Sequence, residues 1–152
     1  MEFNIPETLK EEHDDLHEEL ARVTDIGGGT GETAKKVAAI MHPHFIKEEE
    51  FALPPLGLLA PLAKGEVKKE MEDVLHLTER LKAELSQMLA EHRAIIDSLL
   101  KLADVATREN KLEIAFFAKK LILHARTEEE VLYPASILVG EYLKIKLNKQ
   151  GS

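Results

Sequence analysis

Cysteine is absent from this chain. That excludes disulfides, thiolate zinc sites, cysteine-bound iron–sulfur clusters and a cysteine nucleophile. Aromatic residues make up only 5% of the sequence and charged residues 32%, with proline and glycine scarce outside two short stretches. This balance favours an all-helical protein over a sheet protein. No run of lysine or arginine occurs and the formal charge is −8, so the footprint of a nucleic-acid binder is missing and an anionic membrane would repel the chain. No stretch reaches ~18 apolar residues, and the N-terminal MEFNIPETLKEEHDD is acidic without an apolar core. Neither a membrane span nor a signal peptide is expected, and a cytoplasmic protein is the default. The expectation is a single domain over residues 1–152, long enough to bury roughly 68–70% of its unfolded surface around one core.

What the sequence does have is a repeated segment. His44 to Pro54 reads HFIKEEEFALP and His124 to Pro134 reads HARTEEEVLYP, so both follow HxxxEEE, an apolar residue, two more positions and a proline. The match extends backwards, with Glu12-His13 followed by Leu16 and Glu91-His92 followed by Ile95. His13 precedes His44 by 31 residues and His92 precedes His124 by 32. The pattern is that of an internal duplication, two helix pairs related by an approximate twofold.

Heptad-like spacing places four helices. The first is expected over about Pro6–Thr24, with a seam of Leu9, His13, Leu16, Leu20 and Val23. The stretch DIGGGTG, Asp25 to Gly31, is expected to be a reversing loop. The second helix carries Ala34, Val37, Met41, His44, Glu48 and Phe51 on its seam, with a kink expected at Pro43. Residues 52–65, ALPPLGLLAPLAKG, read as an apolar connector that covers the core, with an interaction surface as the alternative. A long third helix is expected over about Glu66–Ala106, with Met71, Val74, Thr78, Leu81, Leu85, Met88, His92, Ile95, Leu99 and Leu102 in steps of three and four. At 1.5 Å per residue it would reach ~60 Å. Its first half then needs a partner: the connector, a second copy of the chain, or a break near His76. Asn110 and Glu113 read as a capping box for a fourth helix, whose seam runs Ile114, Phe117, Leu121, His124, Glu128, Val131, Ala135 and Leu138. Pro134 is expected to kink or end it before a short C-terminal helix.

Six polar residues therefore fall on seams that should be buried: His13, His44, Glu48, His92, His124 and Glu128. Residues four apart on a helix have Cβ atoms ~5–6 Å apart, which sets His44 beside Glu48 and His124 beside Glu128. Burying an ionised carboxylate without a partner costs several kcal/mol, and a metal ion is the natural compensation. Facing helices of a bundle commonly build carboxylate-bridged metal pairs, and two histidines with one carboxylate from each half match the facial set suited to non-haem iron. With both glutamates bridging, each metal would hold two imidazoles and two bridging oxygens and keep room for solvent or a small ligand. The bland alternative, core histidines satisfied by carbonyls or a nearby glutamate, fits one histidine better than six seam positions repeated across two halves. His17, one turn after His13, could pair with it on a metal, but like His42 and His76 it lacks a repeat partner and reads as a non-ligand; Glu49, Glu50, Glu129 and Glu130 read as solvated or supporting groups, and Tyr133 as a packing residue, with an approach to the metal pocket as the alternative.

HFIKEEEFALPPL, EHRAIID and HARTEEEVLYPA resemble the haemerythrin-like, or HHE cation-binding, domain, and the resemblance covers nearly the whole chain. It implies an antiparallel up-down four-helix bundle around a non-haem di-iron centre, two oxo- or hydroxo-bridged ions held by the six residues above. Oxygen-carrying haemerythrins add a histidine where this chain has Met88 and place an aspartate where it has Glu129. The four-histidine, two-glutamate set is similar to that of the repair-of-iron-centres proteins, although their N-terminal cysteine-bearing domain is not in this sequence. The implied activity is binding of, or reaction with, dioxygen, peroxide or nitric oxide in sensing, stress response or iron handling. The alternative is iron storage, delivery or sensing without turnover. A homodimer through the connector and the first half of helix three is a further expectation.

Overall fold

In the computed structural model, residues 1–148 are described, and the last four positions of the expected domain lie outside them. Helical turns supply all the regular structure of these residues. Four long helices, α1 (Glu7–Thr24), α2 (Gly28–Lys47), α4 (Leu75–Arg108) and α5 (Leu112–Thr127), form a bundle, with a short α3 (Leu59–Ala63) between α2 and α4 and a last helix α6 (Tyr133–Lys146). The bundle core is continuous from Leu16, Leu20 and Val23 of α1 through Val37 and Met41 of α2, Leu99 and Leu102 of α4, and Phe117 and Leu121 of α5. Seams in steps of three and four make this possible, since they turn one face of every helix inward. None of the described helices is long and apolar enough to cross a membrane.

The glycine-rich loop is shorter than expected, because Gly28 to Gly31 form the first turn of α2. Their orphan amides are taken up from elsewhere in the chain: Glu109, at the end of α4, accepts from the N–H of Gly29 at 2.9 Å, the N–H of Thr30 at 2.8 Å and the Thr30 hydroxyl at 2.5 Å. A carboxylate at a helix N-terminus is favoured by both hydrogen bonding and the helix dipole. Gly31 has to be small, since a Cβ there would meet the carbonyl oxygen of Ile26 at 1.7 Å.

Asn110 does not cap α5. It adopts a left-handed backbone with φ 58° and closes α4 instead, with Asn110 N–H donating to Thr107 at 3.1 Å and Lys111 N–H to Ala106 at 2.7 Å. These are the paired bonds of a Schellman ending, with asparagine in the position usually held by glycine.

Pro43 lies inside α2, which runs on to Lys47. The departure from α-helical winding comes later, at Glu48–Ala52, and recurs at Glu128–Leu132, each a single π-helical turn. Leu53 N–H donates to Glu48 at 2.9 Å, and Tyr133 N–H donates to the carbonyl of Glu128, both five residues back. A one-residue insertion rotates the buried face by about 100°. The expected fourth seam consequently fails after Glu128: Val131 and Leu138 are exposed, while Tyr133, Ser136, Val139 and Leu143 are buried.

The connector does cover the core, but as a 3-10 turn (Pro54–Leu58) followed by α3. The long helix is preceded by a 3-10 turn at Lys69–Val74 and becomes α-helical at Leu75, next to the break weighed at His76. Met71 and Val74 pack with Leu58 and Leu62 of the connector and with Val139 and Leu143 of α6. Gly140 lets α6 approach α4 closely, its Cα facing the Thr78 side chain. The first half of the expected third helix is thus covered within one chain, and its burial requires no second copy.

Candidate metal centre

Each bundle helix contributes one histidine, His13 from α1, His44 from α2, His92 from α4 and His124 from α5, and the π turns open on Glu48 and Glu128. The two glutamates are 0% and 2% exposed. All four imidazoles turn Nε2 toward them: His13 lies 3.1 Å from Glu48 Oε1, His44 3.5 Å from Glu48 Oε2, His92 3.3 Å from Glu128 Oε1 and His124 3.3 Å from Glu128 Oε2.

The opposite ring nitrogens face outward onto a second set of carboxylates. His44 Nδ1 lies 2.8 Å from Glu91, His92 Nδ1 3.0 Å from Glu129 and His124 Nδ1 3.0 Å from Glu12, while His13 Nδ1 stands 3.5 Å from Glu49. Every outer acid is the sequence neighbour of an inner residue. Consecutive helix positions diverge by about 100°, so one side chain enters the core while the next reaches across to an adjacent helix. An Nδ1–H held by a carboxylate fixes the tautomer that leaves the Nε2 lone pair facing inward, the arrangement that orients metal-bound histidine.

Two groups of donor atoms lie within 4.8 Å of one another in the core, one from His44, Glu48, His92 and Glu128 and the other from His13, His124 and Glu128. The imidazoles pair across the duplication: each group takes one histidine from the first half and one from the second, instead of both from the same half. Ring centroids are 4.5 Å apart for His44 and His92 and 5.9 Å for His13 and His124.

Electrostatics in this layer are unbalanced. Burial alone would raise the Glu48 carboxyl, but the adjacent Glu128, His13 and His44 side chains hold it well below the usual range. Burial and the charge of Glu48 together push Glu128 well above it. Burial opposes charge on His124, yet the adjacent Glu128 carboxyl, with Glu48 and Glu12, raises it to about 9. His13 and His44 are raised against burial by Glu48.

Even so, His13 Nδ1, His124 Nε2 and Glu128 Oε2 remain buried without a hydrogen-bond partner. Orphaned buried polar atoms are rare in folded proteins, and two of these three point at each other from the inner group. Imidazole nitrogens and carboxylate oxygens converging on one buried space suit a divalent or trivalent first-row metal. The residues present therefore fit a pair of cations.

The chain matches the model described as Hemerythrin HHE cation binding domain over residues 4–136. It belongs to the hemerythrin HHE cation-binding family. The matched span of this hemerythrin-like chain takes in all six inward residues and ends within α6. Comparisons with curated proteins and with solved structures returned no match.

In the sequence Glu12 and Glu91 mark only the duplication, although each is spaced to reach a neighbouring helix. Tyr133, expected to pack or else to approach the metal pocket, is fully buried, donates to Glu48 Oε2 at 2.6 Å and lies 3.1 Å from Nε2 of both His44 and His92. The π turn at Glu128 brings it inward. Burial and the charges of Glu48 and Glu128 push its hydroxyl well above the usual tyrosine range. His17 stacks on Phe45 at 4.3 Å, and His42 and His76 are exposed.

Proposed function

We propose that this chain is a non-haem di-iron protein, in which His13, His44, Glu48, His92, His124 and Glu128 hold two iron ions, oxo- or hydroxo-bridged, that take up dioxygen, peroxide or nitric oxide. The observation that carries the proposal is the double orientation of the imidazoles, with Nε2 turned onto two buried glutamates and Nδ1 faced by acids outside. Such a layer is costly without cations. Bound iron would supply Lewis acidity and open positions for a small ligand. The chain's own residues would do the rest: Glu48 and Glu128 bridge, the outer acids fix the histidine tautomers, and Phe45 and Met88 exclude water.

The reading comprises an antiparallel up-down bundle, one domain over residues 1–152 and a cytoplasmic setting. With four histidines, two glutamates and Met88 in place of a further histidine, the ligand set is nearer to that of the repair-of-iron-centres proteins than to that of the oxygen carriers. Among the described residues no other buried acid or base is disposed for turnover, so ligand binding is the core of the proposal.

Elemental analysis and an optical spectrum of the purified protein test it. About two iron per chain, with a near-ultraviolet charge-transfer band that responds to peroxide or nitric oxide, is the expected result. Zinc alone or no metal would overturn it; iron that leaves to a chelator with no spectral response to either ligand would favour storage or delivery.

A further inference from the structure

Resting on that reading, we propose that Tyr133 is a seventh protein ligand, its phenol oxygen completing the metal position formed by His44, His92 and Glu48. Three acceptors converge on this one hydroxyl. Glu48 Oε2 lies 2.6 Å away, and Nε2 of His44 and Nε2 of His92 lie 3.1 Å away. The Nδ1 atoms of both histidines face Glu91 and Glu129 at 2.8 and 3.0 Å; with the ring proton of each on Nδ1, both Nε2 atoms are lone pairs. A phenol has one proton to donate. It satisfies Glu48, and two imidazole lone pairs then face an oxygen with nothing further to give them.

A cation among these four atoms satisfies all of them at once, with the hydroxyl proton released to solvent on binding. The carboxylates around this position attract a cation, and a bound cation inverts the local acid–base balance. The position differs between the two halves of the duplication. Leu53 stands where Tyr133 does in the repeat, and it carries no donor atom. The group of His13, His124 and Glu128 therefore has no equivalent oxygen, and the open coordination of the pair belongs to that side.

The test is spectroscopic and uses the full chain loaded with iron(III), after elemental analysis has established two ions per chain. A visible phenolate-to-iron charge-transfer band with resonance-enhanced tyrosine ring vibrations is expected. It is lost in Tyr133→Phe at unchanged metal content and kept in Tyr142→Phe, which removes the other tyrosine. Ring-deuterated tyrosine in the Tyr142→Phe chain shifts those vibrations with Tyr133 itself intact, so the assignment does not depend on the folding of Tyr133→Phe. A two-iron protein lacking the band, or a band that survives in Tyr133→Phe, overturns the ligation and leaves the di-iron reading standing. A chain that binds no metal overturns both.

Discussion

Glu91 adjoins His92 in sequence but serves His44, whose Nδ1 it meets at 2.8 Å; Lys47 donates to its other oxygen at 2.7 Å. Although desolvation opposes it, hydrogen bonds from Lys47, His44 and Gln87 lower this carboxyl to about 2. It is an anchored acceptor that sets the imidazole, not a solvated charge. Removing such an outer carboxylate costs about 10–100-fold in metal affinity. Glu91→Gln is expected to weaken iron or cobalt binding within that range, measured by competition with a chelator. Glu12→Gln should cost less, because Glu12 is 58% exposed against 23% for Glu91. Equal affinities for wild type and Glu91→Gln would remove it from this role.

His124→Ala is expected to lose most of the bound metal and to lower the melting temperature of the loaded protein, since cations that bind only the folded state stabilise it by mass action. Elemental analysis and thermal melts with and without chelator read both effects. Undiminished metal content would take His124 out of the ligand set.

Acid should expose the role of Glu109. Hydrogen bonds from the Thr30 hydroxyl and from the N–H groups of Thr30 and Gly29 lower its carboxyl from 4.5 to about 2. A depressed folded value means that the contribution to stability is fully present above 4.5 and is lost as pH falls through about 2. Urea midpoints of metal-free wild type and Glu109→Gln should therefore differ by a constant amount above pH ~5 and converge toward pH ~2. A gap that does not close on acidification would contradict the assignment.

The π turn at Glu128 makes a prediction opposite to that of an uninterrupted seam. Leu138 is 64% exposed and Leu143 is fully buried. Leu138→Ala should change stability by no more than about 0.5 kcal/mol, while Leu143→Ala should cost about 2–5 kcal/mol. Denaturant unfolding of both variants decides between the two registers, and the reverse order of costs would restore the unbroken helix.

The sequence by itself determined the helical class, the duplication, and the inward course of His13, His44, Glu48, His92, His124 and Glu128, because helical periodicity and repeat spacing are local properties that a chain carries in its order of residues. Steps of three and four put each residue on a buried face before any partner was known. Tertiary structure decided the rest. Whether Asn110 opens α5 or closes α4 depends on which backbone groups are left for it, and whether Gly28–Gly31 form a loop or a helical turn depends on Glu109, 80 positions away from Gly29. The crossing of the imidazole pairs, His44 with His92 and His13 with His124, is a property of how the halves pack. Most consequential is the extra residue in each π turn: a period of 3.6 read along the sequence carries no mark of it. That one residue moved Leu138 into solvent and brought Tyr133 against Glu48.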